Sequence, residues 1–323
     1  MKETYRQHYV PRTYLQKFAI KRKNNYNISS ADKNDLEKII IPNIINDCLE
    51  TNIYTQKGET KEQRQALETF YSDNVESVYN EVYKTLTDES IVEISEDMHY
   101  KIVMTIISML YRTSKWIHVH NDLSDLVLEK MFSLCEQAKK DYFMYEDYKY
   151  SIKRKSLSDI QKEFRERKKE LHVLMQLEVA FKLIDIRKFD GILISKLMPE
   201  NQLITSDNPV ILSNLEPGII APFDPENMIK LPIDTNHILT IMPHSQSTGE
   251  HRISRVNHTD SMSAGKMIVN NYSQYSSSFK YIFGTKKGIS DFISKKTDYE
   301  KPVTEEQRKK LDEITTIVNM MTK

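Results

Sequence analysis

Two short segments far apart in the chain carry the polar side chains best suited to catalysis. His8 lies in His-Tyr-Val-Pro near the start, beside Pro11, whose ring fixes the local backbone. An imidazole titrates near neutral pH, so His8 is a candidate general acid or base. In the structural alternative, His8 caps a short helix or hydrogen-bonds across a sheet. The residue pattern leaves both roles open.

The second segment, Ile204-Thr205-Ser206-Asp207-Asn208-Pro209, is an apolar strand that runs into a polar turn. Asp207 follows the strand, where polar groups face a cleft, so it is a candidate ligand for Mg²⁺. Asp207 and Asn208 are also candidates to orient His8 as part of a catalytic set. Ser-Asp-Asn-Pro is equally good turn chemistry, in which the Asp carboxylate accepts backbone N–H groups.

Two glutamates and two arginines complete the candidate site. On a helical wheel Glu68 lies about 100° from Leu67, inside an apolar arc, and Glu76 lies near 180°, at the edge of that arc. A carboxylate on an apolar face needs a partner, and Arg112 is the natural one, since Arg binds carboxylates in a fork. The alternative is that Arg112, together with Arg12, binds a substrate phosphate.

The composition excludes several classes of protein. The 323-residue chain has only 7 Gly, where an average chain would have roughly 23. These glycines build no G-x-G-x-x-G or P-loop pattern, so a Rossmann site, a P-loop and a kinase-type loop are disfavoured. The chain also lacks H-E-x-x-H, C-x-x-C and G-x-S-x-G, which removes the usual support for zinc hydrolases, zinc deaminases and elbow-type serine hydrolases.

Charge and cysteine content point to a cytoplasmic protein. The 46 Lys+Arg balance 46 Asp+Glu, which disfavours a wholly basic surface but is compatible with a local basic cleft for RNA or DNA. Cys48 and Cys135 are predicted to be reduced and buried. The longest apolar run, Ile102 to Tyr111, is about half the length of a membrane span, and no apolar signal segment opens the chain, so we expect no membrane association.

Glycine and proline divide the chain into regions of different character. The 132 residues between Gly58 and Gly191 contain neither residue, a pattern typical of packed helices, whereas seven of the ten prolines lie between Pro199 and Pro243. Apolar periodicity predicts four helices in the first region. They cover Leu67 to Leu86, Glu96 to Trp116, Asp122 to Lys139 and Ser156 to Ile186.

Strands are predicted on both sides of this helical region. Short β-branched runs predict one sheet from Gly191 to Ile194, Gln202 to Thr205, Pro209 to Leu212 and His237 to Met242. Near the start, Pro11 is predicted to open a short helix, and Asn25 to Ser29 is predicted to pair with Lys38 to Ile41. A helix is expected around Asp260 to Asn271, a strand at Phe279 to Phe283, and a last helix behind a capping box that begins at Thr304.

These elements predict an α+β fold. A small mixed or antiparallel sheet is built from both chain ends, and a large helical block is inserted between them. Residues 1–58 and 191–323 are the two parts of the β-containing lobe, and residues 59–190 are the helical block. The insertion would bring His8 and Asp207 onto the same sheet.

The motifs His8-Tyr9-Val10-Pro11 and Thr205-Ser206-Asp207-Asn208-Pro209 together resemble the bacterial family called domain of unknown function 4238. The resemblance extends to a Glu-bearing helix, here with Glu68 and Glu76, and to a helix that ends in Arg-Thr, here Arg112-Thr113. Where the family tends to have Pro next, this chain has Ser114. The family's name implies no function, but its genomic context implies an effector in anti-phage defence or a toxin system.

Two hypotheses follow. The first is a phosphodiesterase of the nuclease-effector type, with His8 as acid or base, Asp207 and Asn208 as Mg²⁺ ligands or orienting groups, and Arg112 on a phosphate. The second is a non-catalytic recognition or regulatory module for a peptide, nucleotide or phage component. In that module the helical block offers a surface to a protein partner or to a second copy of the chain.

Overall fold

The structure is a computed structural model that describes residues 5–214, 221–246, 251–299 and Glu305. Helices dominate its middle third, as the long stretch without glycine or proline predicts. The helices are α1 (Arg12–Leu15), α2 (Lys61–Arg64), α3 (Ala66–Tyr71), α4 (Tyr79–Thr87), α5 (Glu96–Tyr111), α6 (Ser114–Gln137), α7 (Leu157–Arg187), α8 (Asp260–Ser277) and α9 (Lys286–Tyr299).

The strands are short and lie mainly outside the helical block. They are β1 (Arg6–His8), β2 (Ile20–Arg22), β3 (Asn25–Asn27), β4 (Ser29–Asp32), β5 (Asp35–Ile40), β6 (Leu49–Thr51), β7 (Tyr142–Tyr145), β8 (Tyr148–Ser151), β9 (Gly191–Lys196), β10 (Thr205–Ser206), β11 (Ile211–Ser213), β12 (Met228–Pro232), β13 (His237–Met242), β14 (Ile253–Asn257) and β15 (Tyr281–Gly284).

Two sheets organise these strands, and the α+β fold class is confirmed. The larger has the order β11-β12-β13-β9-β14 and is antiparallel except for the parallel β9-β14 pair. The smaller, β10-β15-β4-β5, is antiparallel and joins strands from both ends of the chain. The pairs β1-β6, β2-β3 and β7-β8 form separate ribbons. The helical block α2 to α7 is inserted between the chain-end segments, as predicted.

The prediction that four late segments share one sheet was wrong. β9, β11 and β13 do share the larger sheet, but β10 pairs with β15 in the smaller one. The backbone before β10 bonds a side chain instead of a strand: Asn271 Oδ1 accepts from the Ile204 N–H at 2.9 Å, and Asn271 Nδ2 donates to the Gln202 carbonyl at 3.0 Å. An amide that pairs with both groups replaces a neighbouring strand.

Two local predictions also need correction. The segment Asn25 to Ser29 is divided between β3, which pairs with β2, and β4, which pairs with β5. The division falls at Ile28, which is buried and donates its N–H to the Pro42 carbonyl at 3.1 Å. The hairpin β7-β8 lies inside the predicted helical block. Apart from Glu305, the capping box at Thr304 and the last helix lie outside the described residues.

One hydrophobic core connects all three predicted segments. Val10, Ile107 and Ile192 belong to it, and they come from the N-terminal segment, the helical block and the larger sheet respectively. The helix α5 is buried over most of its surface and packs against α4 and α7. Burying apolar surface on several sides explains why this helix is apolar on most sides. The two end segments are therefore fixed against the same helical scaffold.

Both cysteines, Cys48 and Cys135, are free, and both are buried as predicted. In the described ranges, no helix combines the length and the apolar character needed to cross a bilayer.

Tyr14, close to the His8-Tyr9-Val10-Pro11 motif, joins this segment to Thr205 of the late motif. Its hydroxyl donates to the Pro232 carbonyl at 2.8 Å and accepts from the Thr205 hydroxyl at 2.5 Å. The tyrosine is fully buried, so neither partner can turn to water if the phenol oxygen is removed. This contact fixes α1 against β10.

Replacing Tyr14 with Phe should therefore lower the free energy of unfolding by about 1–3 kcal/mol, the cost of buried polar groups that lose their partner. Urea denaturation followed by circular dichroism measures the loss. Tyr100→Phe, at a tyrosine that is 41% exposed, is the matched control and should change the stability by less than about 0.5 kcal/mol. Equal losses in the two variants would contradict the role of Tyr14.

Candidate functional site

Arg112 is a fully buried cation at the centre of the candidate site. Its side chain is 0% exposed, and Nη2 donates to Glu76 Oε1 at 3.1 Å and to the backbone carbonyl of His8. The guanidinium also lies 4.4 Å from the ring centroid of Tyr71 and 5.7 Å from that of Tyr54. A buried arginine is tolerated only when such partners replace its hydration.

A break between α5 and α6 places this arginine. The sequence predicts an unbroken helix to Trp116, but α5 ends at Tyr111 and α6 begins at Ser114, because Thr113 has extended backbone angles, φ −72° and ψ 150°. The Tyr54 hydroxyl donates to the Arg112 carbonyl at 2.5 Å, and the Thr113 hydroxyl donates to Asn208 Oδ1 at 3.1 Å. These contacts hold a break that contains neither glycine nor proline.

A second irregularity brings the two glutamates together. The predicted single helix from Leu67 to Leu86 is divided into α3 and α4 by a π-helical turn over Ser72–Glu76. In this wider turn each residue advances by about 82° instead of about 100°. On an unbroken helix Glu68 and Glu76 would lie about 80° apart, whereas the π turn rotates Glu76 onto the face of Glu68.

The partner of Arg112 is therefore Glu76, and the predicted Glu68–Arg112 pair does not form. Glu76 accepts from Arg112, whereas the buried Oε2 of Glu68 has no hydrogen-bond partner among the described residues. Burial raises the pKa of Glu68 to about 7, and Glu76 adds to the rise, while Arg112 and Arg12 oppose it. Near neutral pH this carboxyl is divided between its acid and its anion, so it can donate a proton.

His8 ends β1, and its ring is held as a neutral base. Burial is the main cause that lowers its pKa to about 4, and Arg12 lowers it further, while Glu76 opposes the shift. The backbone of Ile45 acts in the opposite direction and raises the pKa of the ring. The buried Nε2 has no hydrogen-bond partner among the described residues.

Arg12, at the start of α1, is exposed and adds a second positive charge. Within the part of the chain that the structure describes, it has no ion-pair partner, in contrast to Arg112. Arg12, Glu76 and Arg112 are the charged groups that act on both His8 and Glu68. The five residues His8, Arg12, Glu68, Glu76 and Arg112 form one group, named here the His8 cluster.

The prediction that His8 and Asp207 lie on the same sheet was wrong, because His8 ends β1, which pairs with β6, whereas Asp207 follows β10 of the smaller sheet. The carboxylate of Asp207 already has its hydrogen bonds made. Oδ1 accepts from the Phe279 N–H at 2.8 Å, and Oδ2 accepts from the N–H groups of Lys280 and Tyr281 at 2.7 and 2.9 Å. Burial raises the pKa of Asp207, and these three donors oppose the rise. The carboxylate accepts backbone N–H groups, as the structural alternative predicts, but these belong to residues 279–281 and not to its own turn. A 2% exposed carboxylate with its acceptors filled in this way does not fit a Mg²⁺ ligand.

Asn208 belongs to a closed network beside Asp207. Its Nδ2 donates to the Ser277 hydroxyl at 2.7 Å, and its Oδ1 accepts from Thr113. These contacts do not orient His8. Among the described residues, no group of three or more His, Cys, Asp and Glu side chains is arranged to hold a metal ion.

Sequence reasoning found the five residues of the His8 cluster but missed the groups that shape it. Tyr71 appears in the sequence only as part of an apolar stripe, and Tyr54 gives no signal at all, yet both rings pack on Arg112.

Removing the buried guanidinium tests the Arg112 contacts. Arg112→Met leaves the Glu76 carboxylate and the His8 carbonyl without their donor, so we expect a loss of about 3–5 kcal/mol in the free energy of unfolding. Adding Glu76→Gln should recover part of this loss, because no uncompensated charge then remains. Arg165→Met, at an exposed pair with Asp125, is the control and should cost less than about 1 kcal/mol. Equal losses in urea denaturation would contradict the prediction.

The raised pKa of Glu68 predicts a pH-dependent stability. The ordinary value is 4.5 and the folded value is about 7, so between these values the unfolded chain releases a proton that the folded chain keeps. Stability must fall as pH rises through this window. Relative to Glu68→Gln, the parent should lose on the order of 1–2 kcal/mol between pH 4.5 and 7, after discounting for solvent screening.

Urea denaturation of both proteins at several pH values measures this difference. Glu62→Gln, at the exposed start of α2, is the matched control. Relative to this variant, the parent should show no such loss of stability over the same pH range. A difference between parent and Glu68→Gln that stays constant with pH would contradict a raised pKa for Glu68.

Comparison with known proteins gives one match. The model of the family described as protein of unknown function, DUF4238, matches residues 6–313. No curated protein and no solved structure matches the chain.

Proposed function

We propose, for a chain that belongs to the DUF4238 family of proteins of unknown function, that it hydrolyses phosphodiester bonds in nucleic acid and that the His8 cluster is its active site. The observation that carries the proposal is a pair of titratable groups, His8 and Glu68, that share three charged neighbours and each keep a buried polar atom without a partner in the described chain. Buried polar atoms are normally hydrogen-bonded, so these two atoms leave positions that a ligand can fill.

His8 acts as the general base in this proposal. Its pKa of about 4 leaves the ring neutral at physiological pH, and Nε2 carries the lone pair that accepts a proton from the attacking hydroxyl. Glu68, with a pKa of about 7, acts as the general acid that protonates the leaving oxygen. Two titratable groups with pKa values moved apart by their surroundings form an acid and base pair.

The two arginines have different roles. Arg12 is exposed and carries the positive charge that binds the phosphate. Arg112 is buried against Glu76 and the His8 carbonyl, so it is a positioning residue rather than a phosphate ligand. The reactive atoms of His8 and Glu68 are shielded from solvent in the free protein. Substrate binding must open the cluster, and catalytic contacts commonly tighten only at that point.

The non-catalytic module remains the second candidate, and one observation favours it. Asp207 and Asn208 form a closed hydrogen-bonded network, which is the arrangement that this hypothesis predicts for the late motif. The His8 cluster differs, because four of its buried polar atoms have no hydrogen-bond partner among the described residues: His8 Nε2, Glu68 Oε2, and Nε and Nη1 of Arg112. As a nucleic-acid hydrolase, the protein would serve as an effector in anti-phage defence or as a toxin.

The proposal is tested with purified protein on RNA and on DNA, with Mg²⁺ and with EDTA. His8→Ala and Glu68→Gln should each lower the cleavage rate about 100-fold or more, which is the usual contribution of a general base or acid. Activity should fall below about pH 4, where His8 protonates, and above about pH 7, where Glu68 ionises.

Matched controls are His244→Ala and Glu62→Gln, since both residues are exposed and lie outside the His8 cluster. The controls should cleave at the parental rate. Folded His8→Ala and Glu68→Gln variants that also cleave at the parental rate would refute the assigned roles.

A further inference from the structure

The charge balance of the His8 cluster limits the substrate that it can cleave. Glu76 is already neutralised by Arg112, and Arg12 adds a positive charge that is not paired within the described chain. A divalent cation here would meet two guanidinium groups, and the one carboxyl of the cluster outside an ion pair, Glu68, is only partly ionised near neutral pH. Mg²⁺ sites in phosphoryl-transfer enzymes usually provide one or two carboxylates in addition to the substrate phosphates. The cluster is therefore suited to an anion.

Without a metal to activate water, the nucleophile has to be one that a side-chain base alone can activate. A ribose 2′-hydroxyl adjacent to the phosphate is held in place by the substrate itself, and an intramolecular nucleophile gains a large rate advantage from this proximity. DNA lacks this hydroxyl. An imidazole with a lone pair, a protonated carboxyl and an arginine are sufficient for attack by a 2′-hydroxyl.

We infer that the substrate of this chain is RNA and that the His8 cluster cleaves it by attack of the ribose 2′-hydroxyl, without a metal ion. The inference rests on the proposed function and specifies its substrate class. His8 Nε2 takes the proton from the 2′-hydroxyl, and the 2′-oxygen forms a bond to phosphorus. The bond from phosphorus to the 5′-oxygen breaks, and Glu68 gives that oxygen its proton. The products are a 2′,3′-cyclic phosphate and a 5′-hydroxyl.

Arg12 is the phosphate ligand in this proposal. Arg12 begins α1 four residues after His8, and it is among the charges that act on both His8 and Glu68. Its guanidinium can bind the two non-bridging oxygens, where negative charge develops in the transition state. Arg12→Lys keeps the charge but loses the planar fork, so it should lower the cleavage rate while leaving weak RNA binding.

The experiment compares three random-sequence pools of the same length, made of RNA, 2′-O-methyl RNA and DNA, in the presence of EDTA. RNA should be cleaved, and mass spectrometry should find 2′,3′-cyclic phosphate ends. The 2′-O-methyl pool and the DNA pool should be intact under conditions that cleave RNA to completion. His8→Ala should lose the activity, and His244→Ala should keep it, which excludes a contaminating ribonuclease.

Several results would overturn the inference. Cleavage of DNA or of 2′-O-methyl RNA that depends on His8 would overturn the 2′-hydroxyl mechanism but leave the proposed phosphodiesterase intact. His8-dependent cleavage of RNA that stops in EDTA and returns with Mg²⁺ would have the same meaning. If the parent protein cleaves none of the pools, with or without Mg²⁺, the inference and the proposed function both fail.

Discussion

The candidate site depends on one buried cation, Arg112. Its Nη2 reaches the His8 carbonyl and the Glu76 carboxylate, and its guanidinium packs against Tyr71 and Tyr54. Burying a charge is costly, so the surrounding chain must provide these partners or the fold loses stability. The same contacts fix the end of β1, the π-helical turn and the junction between α5 and α6 in one place. The free energy that stabilises the cation therefore also orders the site.

The two motif segments of the sequence and the Arg112-Thr113 corner are joined by hydrogen bonds in the structure. Tyr14 binds Thr205, Thr113 binds Asn208, and Arg112 binds the His8 carbonyl, so the first motif, the Arg-Thr corner and the late motif meet through hydrogen bonds. The contacts of Tyr14 with Thr205 and of Thr113 with Asn208 belong to a closed structural network. Among the described parts of the motifs, the His8 cluster is where two groups, His8 and Glu68, each combine a shifted pKa with a buried atom that has no hydrogen-bond partner. The network holds the cluster in position.

Periodicity and composition were sufficient to predict the fold class, the helical block and the five residues of the cluster. They were insufficient for its geometry. The break at Thr113 and the π turn at Ser72–Glu76 lie in a stretch without glycine or proline, so the usual sequence signals of an irregular helix are missing there. Long-range contacts, such as the Tyr54 hydroxyl on the Arg112 carbonyl, stabilise these irregularities. For the same reason, sequence reasoning paired Arg112 with Glu68 instead of Glu76.

The central claim is that the fold holds His8 as a neutral base. The most direct measurement is an NMR titration of the imidazole nitrogens and carbons of His8 in the folded protein, assigned with the folded His8→Gln variant. The structure predicts a pKa near 4, well below the ordinary 6.5. A ring that titrates near 6.5 would contradict the claim.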